Sequence, residues 1–357
     1  MPQLLVNLEK LQHNIAALRQ YCVSKGIELV GVLKCAHAVR MLVEAFQSGD
    51  LPAIAFSRVH TVRPFTDFLK HRPLLIGLPS PAESLDVVRH FSASFNSEVR
   101  TIRALAAATE QSGCEHGIYL MVDIGDLREG VMPEQAVETV REVLPLIEGR
   151  LTFLGLAANL GCASGTLPDE NNLGLLQELA GDIEQQLGVP VTKLSVGGTI
   201  VYSWMQENSL PPRINQLRVG EGILCGYSPT DDVKLAGLYD DVFIFRGTVL
   251  EVREKVSPPP GRKGLDAHGH PPPTGPAGRR KRAILNFGLV DTRRTGLTPR
   301  LPGLRIVTSN SEYTVIDVTG CPETIRVGDE LEFKTGYESM TQALFSPFVE
   351  IIPVGET

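Results

Sequence analysis

The feature that most constrains the fold is a series of eight short apolar segments between residues 28 and 224. They are Glu28–Leu33, Ala53–Phe56, Leu74–Leu78, Ala93–Phe95, Ile118–Val122, Phe153–Ala158, Leu194–Val196 and Leu217–Leu224. Most are separated by a stretch with helical periodicity, such as 134–147 or 172–187. Buried strands that alternate with helices predict parallel βαβ units, and eight such units predict an α/β fold, a (β/α)8 barrel of the TIM type.

The pattern changes after Tyr227. The next apolar segments are Phe243–Val252, Arg282–Phe287, Leu304–Val307, Thr314–Val318 and Glu330–Lys334. They read as strands joined by turns, and no long helical pattern lies between them. We therefore expect a barrel domain over residues 1–235 and a mostly β C-terminal domain over residues 236–357.

A segment rich in proline and glycine, residues 257–282, interrupts the second domain. It contains Pro-Pro-Pro twice and ends in the basic run Arg279–Arg282. This composition predicts a long loop. The basic run could bind an acidic partner, but a solvated loop end before a strand explains it better.

Charge and cysteine content narrow the functional class. The net charge of −7 argues against general binding to nucleic acid or to anionic membranes. The six cysteines form no Cys-x-x-Cys pair, which favours a reducing compartment over a disulfide framework or a metal site such as zinc. Because we also find no secretory h-region and no membrane-spanning apolar run, we expect a cytoplasmic enzyme acting on a small molecule.

Functional groups of a (β/α)8 barrel lie at the carboxyl ends of its strands. Lys34 follows the first of the apolar segments. A lysine buried there is unfavourable unless it is paired, neutralised or used covalently, and burial makes an amine a better nucleophile toward an aldehyde. A lysine that reaches solvent is the plainer alternative.

Other strand ends carry polar groups. Ser195–Thr199 is rich in glycine, and its N–H groups could hold a phosphate, although a tight strand-to-helix turn explains it equally well. Gly220 could likewise admit a phosphate or merely fit the barrel interior. A buried Arg218 would demand an acceptor, which could be a barrel carboxylate. The dense charge group at 123–129 is most simply a network of ion pairs.

Taken together, these features favour one cofactor. A lysine for an aldehyde, a cradle for a phosphate and an arginine facing the same cavity are what pyridoxal 5′-phosphate (PLP) needs from a protein.

Longer motifs carry a resemblance to a known family. They are GVLK, MVDIGDLREG, GLAANLGC, SVGGT, LRVGEG, DVF, RKRAIL, DVTGCPETIRVGDELEF and GYESM. Nearly end to end, the chain resembles the fold-type III PLP enzymes of the alanine/ornithine racemase family, and the ornithine racemase group within it. MVDIGDLREG combined with RVGE and RKRAIL is specific to that group, whereas GVLK alone is not.

The resemblance implies a role for each site residue. It implies that Lys34 holds PLP covalently and moves the α-proton on one face of the substrate. It also implies that Arg218 donates to the pyridine nitrogen, which stays unprotonated because arginine keeps its own proton. The other cofactor-binding residues implied by the resemblance are Arg128, Asn159, Ser195, Gly198, Thr199, Gly220, Glu221 and Tyr337.

Three positions depart from the alanine racemase pattern. Leu289 stands where those enzymes carry the tyrosine base, Met121 where they carry a lysine that is usually carbamylated, and Ala38 where a tyrosine touches the phosphate. Leucine cannot transfer a proton, so the second base is open. Asp291 and Glu312 are candidates, and plain structural or substrate-binding roles are open for both.

The resemblance implies a homodimeric amino-acid racemase that uses two bases. It implies ornithine as the leading substrate, followed by lysine or arginine. A long cationic side chain needs a carboxylate, and Asp291, Glu312 or the Asp231-Asp232 pair could supply it, although an acidic surface turn explains the last pair better. The alternatives are a decarboxylase of the same barrel class, a non-catalytic PLP carrier, and a racemase fold whose activity has drifted after the loss of the tyrosine. The lack of a Cys-Asp pair in the second domain counts against the decarboxylase, and the presence of that domain counts against the carrier.

Overall fold

The computed structural model describes residues 1–35, 39–147, 149–265, 269, 271–272 and 275–355. Contacts divide the chain into two compact units. One is the continuous segment Leu11–Leu238, and the other joins Met1–Lys10 to the chain from Tyr239 onward. The N-terminal segment therefore groups with the C-terminal unit, whereas the sequence analysis placed it with the barrel.

The elements of the larger unit follow the predicted alternation. Its strands are β2 (Glu28–Val32), β3 (Ala53–Phe56), β4 (Leu74–Leu75), β5 (Ala93–Asn96), β6 (His116–Met121), β7 (Leu151–Asn159), β8 (Lys193–Gly197) and β9 (Gln216–Val219), with a short hairpin, β10 (Tyr227–Ser228) and β11 (Val233–Lys234). Its helices are α1 (Leu8–Ser24), which begins in the other unit, α2 (Arg40–Ser48), α3 (Val59–Val62), α4 (Ser84–His90), α5 (Val99–Ser112), α6 (Ala136–Val143), α7 (Glu170–Leu187), α8 (Thr199–Trp204) and α9 (Glu221–Cys225).

Strands β2 to β9 form a closed parallel barrel in chain order. The barrel closes where β2 pairs with β9, with Val30 opposite Arg218. The predicted (β/α)8 barrel is confirmed. One segment differs in detail, because the expected strand Leu217–Leu224 ends at Val219 and α9 begins at Glu221.

The barrel core is built from residues at alternate strand positions. One buried cluster takes Val30 and Val32 from β2, and Phe95 and Tyr119 from β5 and β6. The two rings stack with centroids 4.5 Å apart and planes 4° apart. Met121, at the position of the usually carbamylated lysine, belongs to the same apolar cluster and is 2 % exposed. Period-two burial on neighbouring strands is the expected filling of a barrel interior.

Local signals set the helix ends. Asp169 caps α7 by accepting the Asn172 N–H at 2.7 Å, and Gly188 ends the helix in the left-handed conformation with φ of 68°. Among the helices of the described residues, none combines the length and apolar character needed to cross a bilayer.

The second unit is a mostly antiparallel sheet with one α-helix among its described residues. Its strands are β1 (Gln3–Asn7), β12 (Phe243–Ser257), β13 (Gly278–Leu285), β14 (Leu297–Pro299), β15 (Arg305–Ser309), β16 (Thr314–Asp317), β17 (Glu330–Thr335) and β18 (Glu350–Val354), and its helix is α10 (Tyr337–Phe345). The main path runs β14-β17-β12-β13-β16-β15, and β1 pairs with both β12 and β18. The mostly β second domain is confirmed, while β1, β14, β18 and α10 were not predicted.

The basic run belongs to a strand and not to a loop end. Residues 279–282 of β13 pair with residues 253–256 of β12. Arg279 lies 2.7 Å from Glu254, and Arg280 donates to Asp317 at 2.8 Å. Cross-strand pairing and opposite charges therefore place residues 278–282 of the expected loop in a strand.

Candidate active site

Arg218 is a buried cation with neutral partners. It lies on β9 and is 6 % exposed. Its guanidinium donates to the Ser195 hydroxyl at 2.7 Å and to the Ala158 carbonyl at 2.8 Å, and it lies 4.6 Å from the ring centre of Phe95. Burial lowers the pKa of Arg218 from 12.5 to about 10, which leaves the group protonated at neutral pH. Among the described residues, the expected ion pair with a barrel carboxylate is not formed, so Arg218 can take an anionic or lone-pair acceptor.

Gly197 makes room for this guanidinium. It is the last residue of β8, next to β9. A Cβ atom there would lie 2.5 Å from Arg218 Nη2 and 2.6 Å from Asn159 Oδ1. Since real Cβ contacts are essentially never this short, any larger residue would displace one of the two side chains.

Asp123 shapes the loop after β6. Its Oδ1 accepts the N–H groups of Gly125 at 2.9 Å and Leu127 at 3.1 Å, and its Oδ2 accepts that of Arg128 at 3.2 Å. Leu127 has a φ of 52°, a conformation that few non-glycine residues adopt. The predicted ion-pair network is thus partly a backbone-binding turn, and this turn fixes the backbone of Arg128.

Asp126 ties this loop to the end of β7. It accepts the N–H groups of Cys162 and Ala163, each at 2.9 Å, and the Asn159 amide at 3.1 Å. Arg128 Nε lies 3.5 Å from its carboxylate. Burial alone would raise the pKa of Asp126, but these donors and the Arg128 charge outweigh it and lower the pKa. Asn159 and Arg128, two of the predicted site residues, therefore both contact the ionised Asp126 carboxylate. The Arg128 guanidinium also donates to both carboxylate oxygens of Glu129.

Two helices begin side by side at the ends of β8 and β9. Gly198, with a φ of +113°, precedes α8, and Gly220 precedes α9. The Thr199 hydroxyl accepts the Gly222 N–H at 2.9 Å, and a Cβ at Gly222 would lie 2.9 Å from Thr199 Cγ2. First-turn N–H groups have no partner within a helix, so paired helix starts with small residues suit an anionic group such as a phosphate.

Lys34 lies two residues beyond the end of β2 and its side chain is exposed. Of the two alternatives, a buried lysine and a lysine that reaches solvent, the structure shows the second, because the strand ends at Val32. Lys34 nevertheless follows the strand that pairs with β9, which carries Arg218. Ala38 lies outside the described residues.

Three predicted residues lie in the other unit. Asp291 is 4 % exposed, and its Oδ2 accepts the Gly288 N–H at 2.9 Å within the turn that contains Leu289. Burial raises the pKa of Asp291, the Gly288 N–H opposes this rise, and the negative charge of Glu312 adds to it. Glu312 is exposed, and Tyr337 is half-buried at the start of α10.

The Asp231-Asp232 pair is more than an acidic surface turn. Asp231 Oδ2 accepts the Ser203 hydroxyl at 2.6 Å, while its Oδ1 is buried and finds no hydrogen-bond partner in the described part of the chain. Asp232 accepts the Tyr227 hydroxyl. Only Asp231 therefore has an unused buried acceptor.

Sequence reasoning missed Phe95 and Gln216, and it named Asp126 and the Ser195–Thr199 turn without the contacts that they make in this site. Phe95, Gly197 and Gln216 contact or support Arg218, and Asp126 anchors Asn159. The one available signal was Gln216, a polar residue that opens an apolar strand. Ser195 was predicted to bind the cofactor, but its hydroxyl is occupied by Arg218 and Gln216. Through these two contacts, Ser195 supports the Arg218 guanidinium.

Comparison with known proteins agrees with this architecture. Residues 6–229 match the family model described as alanine racemase, N-terminal domain. Over 350 residues the chain is 30 % identical to ornithine racemase of Acetoanaerobium sticklandii, an alignment that covers 98 % of both proteins. It is also 30 % identical to lysine racemase of Thermotoga maritima, covering 98 % of this chain and 97 % of that protein.

Solved structures share the fold at low identity. Alanine racemase of Clostridium difficile 630 superposes with a TM-score of 0.75 at 15 % identity, covering 99 % of this chain and 95 % of that one. D-threo-3-hydroxyaspartate dehydratase of Delftia sp. HT23 does so with a TM-score of 0.71 at 16 % identity, covering 99 % and 94 %. Because this fold serves both a racemase and a dehydratase, the fold alone does not define the reaction. The family match and the two relatives, which align over nearly their full length, define the class of reaction. The chain belongs to the alanine racemase family of fold-type III enzymes, and it is a racemase, that is, an isomerase.

Proposed function

We propose that the protein is a PLP-dependent racemase of a basic amino acid, with ornithine as the leading substrate and lysine next. The observation that carries the proposal is the buried guanidinium of Arg218, whose two hydrogen-bond acceptors are neutral. The names of the two full-length relatives support the substrate class.

The barrel residues fit PLP in two respects. The paired starts of α8 and α9, with Gly198, Thr199, Gly220 and Glu221, suit its phosphate. The guanidinium of Arg218 suits its ring nitrogen, since arginine can only donate hydrogen bonds. Lys34 would supply the amine that holds the aldehyde carbon.

When bound, PLP withdraws electrons from the Cα atom of the attached amino acid. Arg218 limits this withdrawal, because a cation that keeps its own proton leaves the ring nitrogen unprotonated. Lys34 takes the proton from Cα, or returns it, on one face of the substrate. Arg128, fixed by Asp123 and Asp126, binds near the substrate carboxylate.

The second face of the substrate needs another proton carrier. Asp291 meets one physical requirement for this role, since its pKa is raised and α-proton transfer needs a base stronger than an ordinary carboxylate. Glu312 is the alternative. The carboxylate not used for proton transfer, or the unused oxygen of Asp231, is available for the distal ammonium of the substrate.

The reaction is tested by incubating the enzyme and PLP with L-ornithine in heavy water. We expect D-ornithine deuterated at Cα, and the same from L-lysine at a lower or similar rate. Putrescine and carbon dioxide would instead identify a decarboxylase. Cofactor binding without turnover of any basic amino acid would identify a carrier or a drifted racemase.

The lysine assignment is tested by Lys34→Ala. Loss of the amine should abolish cofactor attachment that survives borohydride reduction, and should lower racemisation by about 10³-fold or more. Lys25→Ala, which removes an exposed lysine before β2, is the matched control. Reducible attachment that persists in Lys34→Ala would contradict the assignment.

The second base is tested by Asp291→Asn and Glu312→Gln. Asparagine keeps an acceptor for the Gly288 N–H, so the turn should survive. The variant that lacks the second base should lose racemisation by about 10²-fold or more, yet still exchange the α-hydrogen of one enantiomer with solvent. If exchange and racemisation fall together in both variants, neither carboxylate is the base.

We also propose, from the family resemblance, that the protein is a cytoplasmic homodimer. Sedimentation equilibrium of the holoenzyme should give twice the mass of one chain. A monomeric mass at concentrations that sustain full activity would contradict this proposal.

A further inference from the structure

A chain of hydrogen bonds leads from Arg218 to the opposite ends of the barrel strands. Arg218 donates to the Ser195 hydroxyl at 2.7 Å, and Ser195 donates to Gln216 Oε1 at 2.7 Å. Gln216 Nε2 donates to Glu28 Oε1 at 3.1 Å. The other oxygen of Glu28 accepts from Lys193. The first three links thus connect a buried cation to a carboxylate.

The direction of each link follows from the chemistry of the groups. A guanidinium only donates, so the Ser195 hydroxyl must accept from Arg218 and point its own hydrogen elsewhere. That hydrogen meets Gln216 Oε1, which leaves the amide Nε2 facing Glu28. A flipped Gln216 amide would place its oxygen against the Glu28 carboxylate. The charge of Glu28 therefore fixes the orientation of the whole chain.

Burial makes this orientation energetically important. Ser195 and Gln216 are 0 % and 1 % exposed, whereas the Glu28 side chain is 25 % exposed. Glu28 is the first charged acceptor along this chain of hydrogen bonds. The residues of this hydrogen-bond chain lie on β2, β8 and β9, which are neighbouring strands of the closed barrel. The hydrogen-bond chain is therefore held by rigid elements. Hydrogen bonds in series in such surroundings polarise and strengthen each other.

We propose that Ser195, Gln216 and Glu28 are positioning residues that hold Arg218 in one orientation, with Glu28, itself ion-paired with Lys193, anchoring the far end of the hydrogen-bond chain. The Arg218 guanidinium thereby presents a fixed donor to the cofactor ring, and Glu28 tunes how strongly it donates. This role in tuning the cofactor rests on the proposed function, whereas the immobilisation of Arg218 does not.

The immobilisation is tested on the cofactor-free protein by NMR with ¹⁵N-arginine. In the wild-type protein the Arg218 Nη hydrogens, assigned by their loss in Arg218→Lys, should exchange slowly. Gln216→Leu and the milder Glu28→Gln should speed this exchange by about tenfold or more, since hydrogen bonds to charged groups contribute strongly. Glu184→Gln is the control, because it breaks a comparable ion pair with Arg213 away from this chain. Unchanged exchange in Glu28→Gln and in a folded Gln216→Leu would overturn the proposal.

The tuning is tested on the loaded enzyme. Glu28→Gln should change the ratio of the cofactor absorption bands and raise side transamination relative to racemisation by about tenfold, while Glu184→Gln matches the wild type. The tuning role is rejected if Arg218 becomes mobile in a variant whose cofactor spectrum and ratio of transamination to racemisation match those of the wild type. Slow exchange in a wild-type protein that racemises no amino acid would leave the immobilisation intact and reject the proposed function instead.

Discussion

Gly197 influences the site through the side chain that it lacks. Arg218 Nη2 and Asn159 Oδ1 approach it from two neighbouring strands, and both occupy the space that a Cβ atom would need. Neither Arg218 nor Asn159 can yield freely, because the guanidinium is bonded to Ser195 and the amide is bonded to Asp126. A methyl group at this position therefore tests the geometry of the whole site.

We expect Gly197→Ala to lower kcat/KM by about 100-fold, since displacement of a positioned group by about 1 Å has this effect. Its overpacking should also reduce the free energy of unfolding by about 1–3 kcal/mol. Gly181→Ala is the control, because Gly181 lies in α7 with open space around its Cα and should gain up to about 1 kcal/mol. Steady-state kinetics and urea unfolding measure both. Wild-type kcat/KM in Gly197→Ala would show that the guanidinium position is not critical.

At the scale of elements, strand β6 begins with a buried polar residue, His116, that has two defined hydrogen-bond partners. His116 is 2 % exposed. Its Nδ1 lies 3.1 Å from the Phe91 carbonyl and its Nε2 lies 2.9 Å from the Ser94 hydroxyl. A carbonyl only accepts, so Nδ1 carries the hydrogen and the neutral ring accepts from Ser94. Burial lowers the pKa of His116 from 6.5 to about 4.

This histidine predicts acid sensitivity. The pKa is lower in the folded state, so the unfolded state binds more protons, and stability falls as the pH drops from 6.5 toward 4. The full contribution is roughly 3 kcal/mol. Urea unfolding between pH 7.5 and 4.5 should show a flatter pH dependence in His116→Asn than in the wild type. Removal of the exposed His71 in His71→Asn should keep the wild-type slope.

The sequence predicted the barrel well because most residues of its strands are buried and apolar. It predicted β13 poorly, since Arg279–Arg282 reads as a solvated loop until the partners Glu254 and Asp317 are known. Strands β1, β14 and β18 are short, and their pairing depends on distant parts of the chain. No local pattern encodes such pairing.

In the candidate site, too, some residues could be predicted from the sequence and others could not. Arg218, Asn159 and the glycine-rich turns could be found because functional residues of a barrel follow its strands. The role of Ser195 could not, because it depends on Gln216 and Glu28, which become neighbours only when β2, β8 and β9 come together. The apolar segment before Lys34 left both a buried and an exposed lysine open, and the exposed one is found because the strand ends at Val32. Hydrophobic periodicity thus predicts the strands and the residues that follow them, whereas the contacts of individual side chains depend on how the strands pack.

At the scale of the whole molecule, the second unit combines Met1–Lys10 with the chain from Tyr239 onward. β1 crosses from the start of the sequence into the sheet of the second unit, where it pairs antiparallel with β12 and parallel with β18. Leu4 and Val6 of β1 are fully buried there. The second unit is therefore completed by residues 3–7, which are far in sequence from its other strands.

This arrangement predicts a local effect of a mutation at the N-terminus. Leu4 is aligned with Phe245 of β12 and Ile351 of β18, so Leu4→Ala should destabilise that sheet by about 2–5 kcal/mol. Hydrogen exchange followed by mass spectrometry should show faster exchange in peptides covering β12 and β18, with barrel peptides unchanged. Val23→Ala, at an exposed position of α1, should change neither. Equal acceleration in barrel and sheet peptides would show instead that both units unfold as one, because the N-terminal strand would then stabilise the chain as a whole.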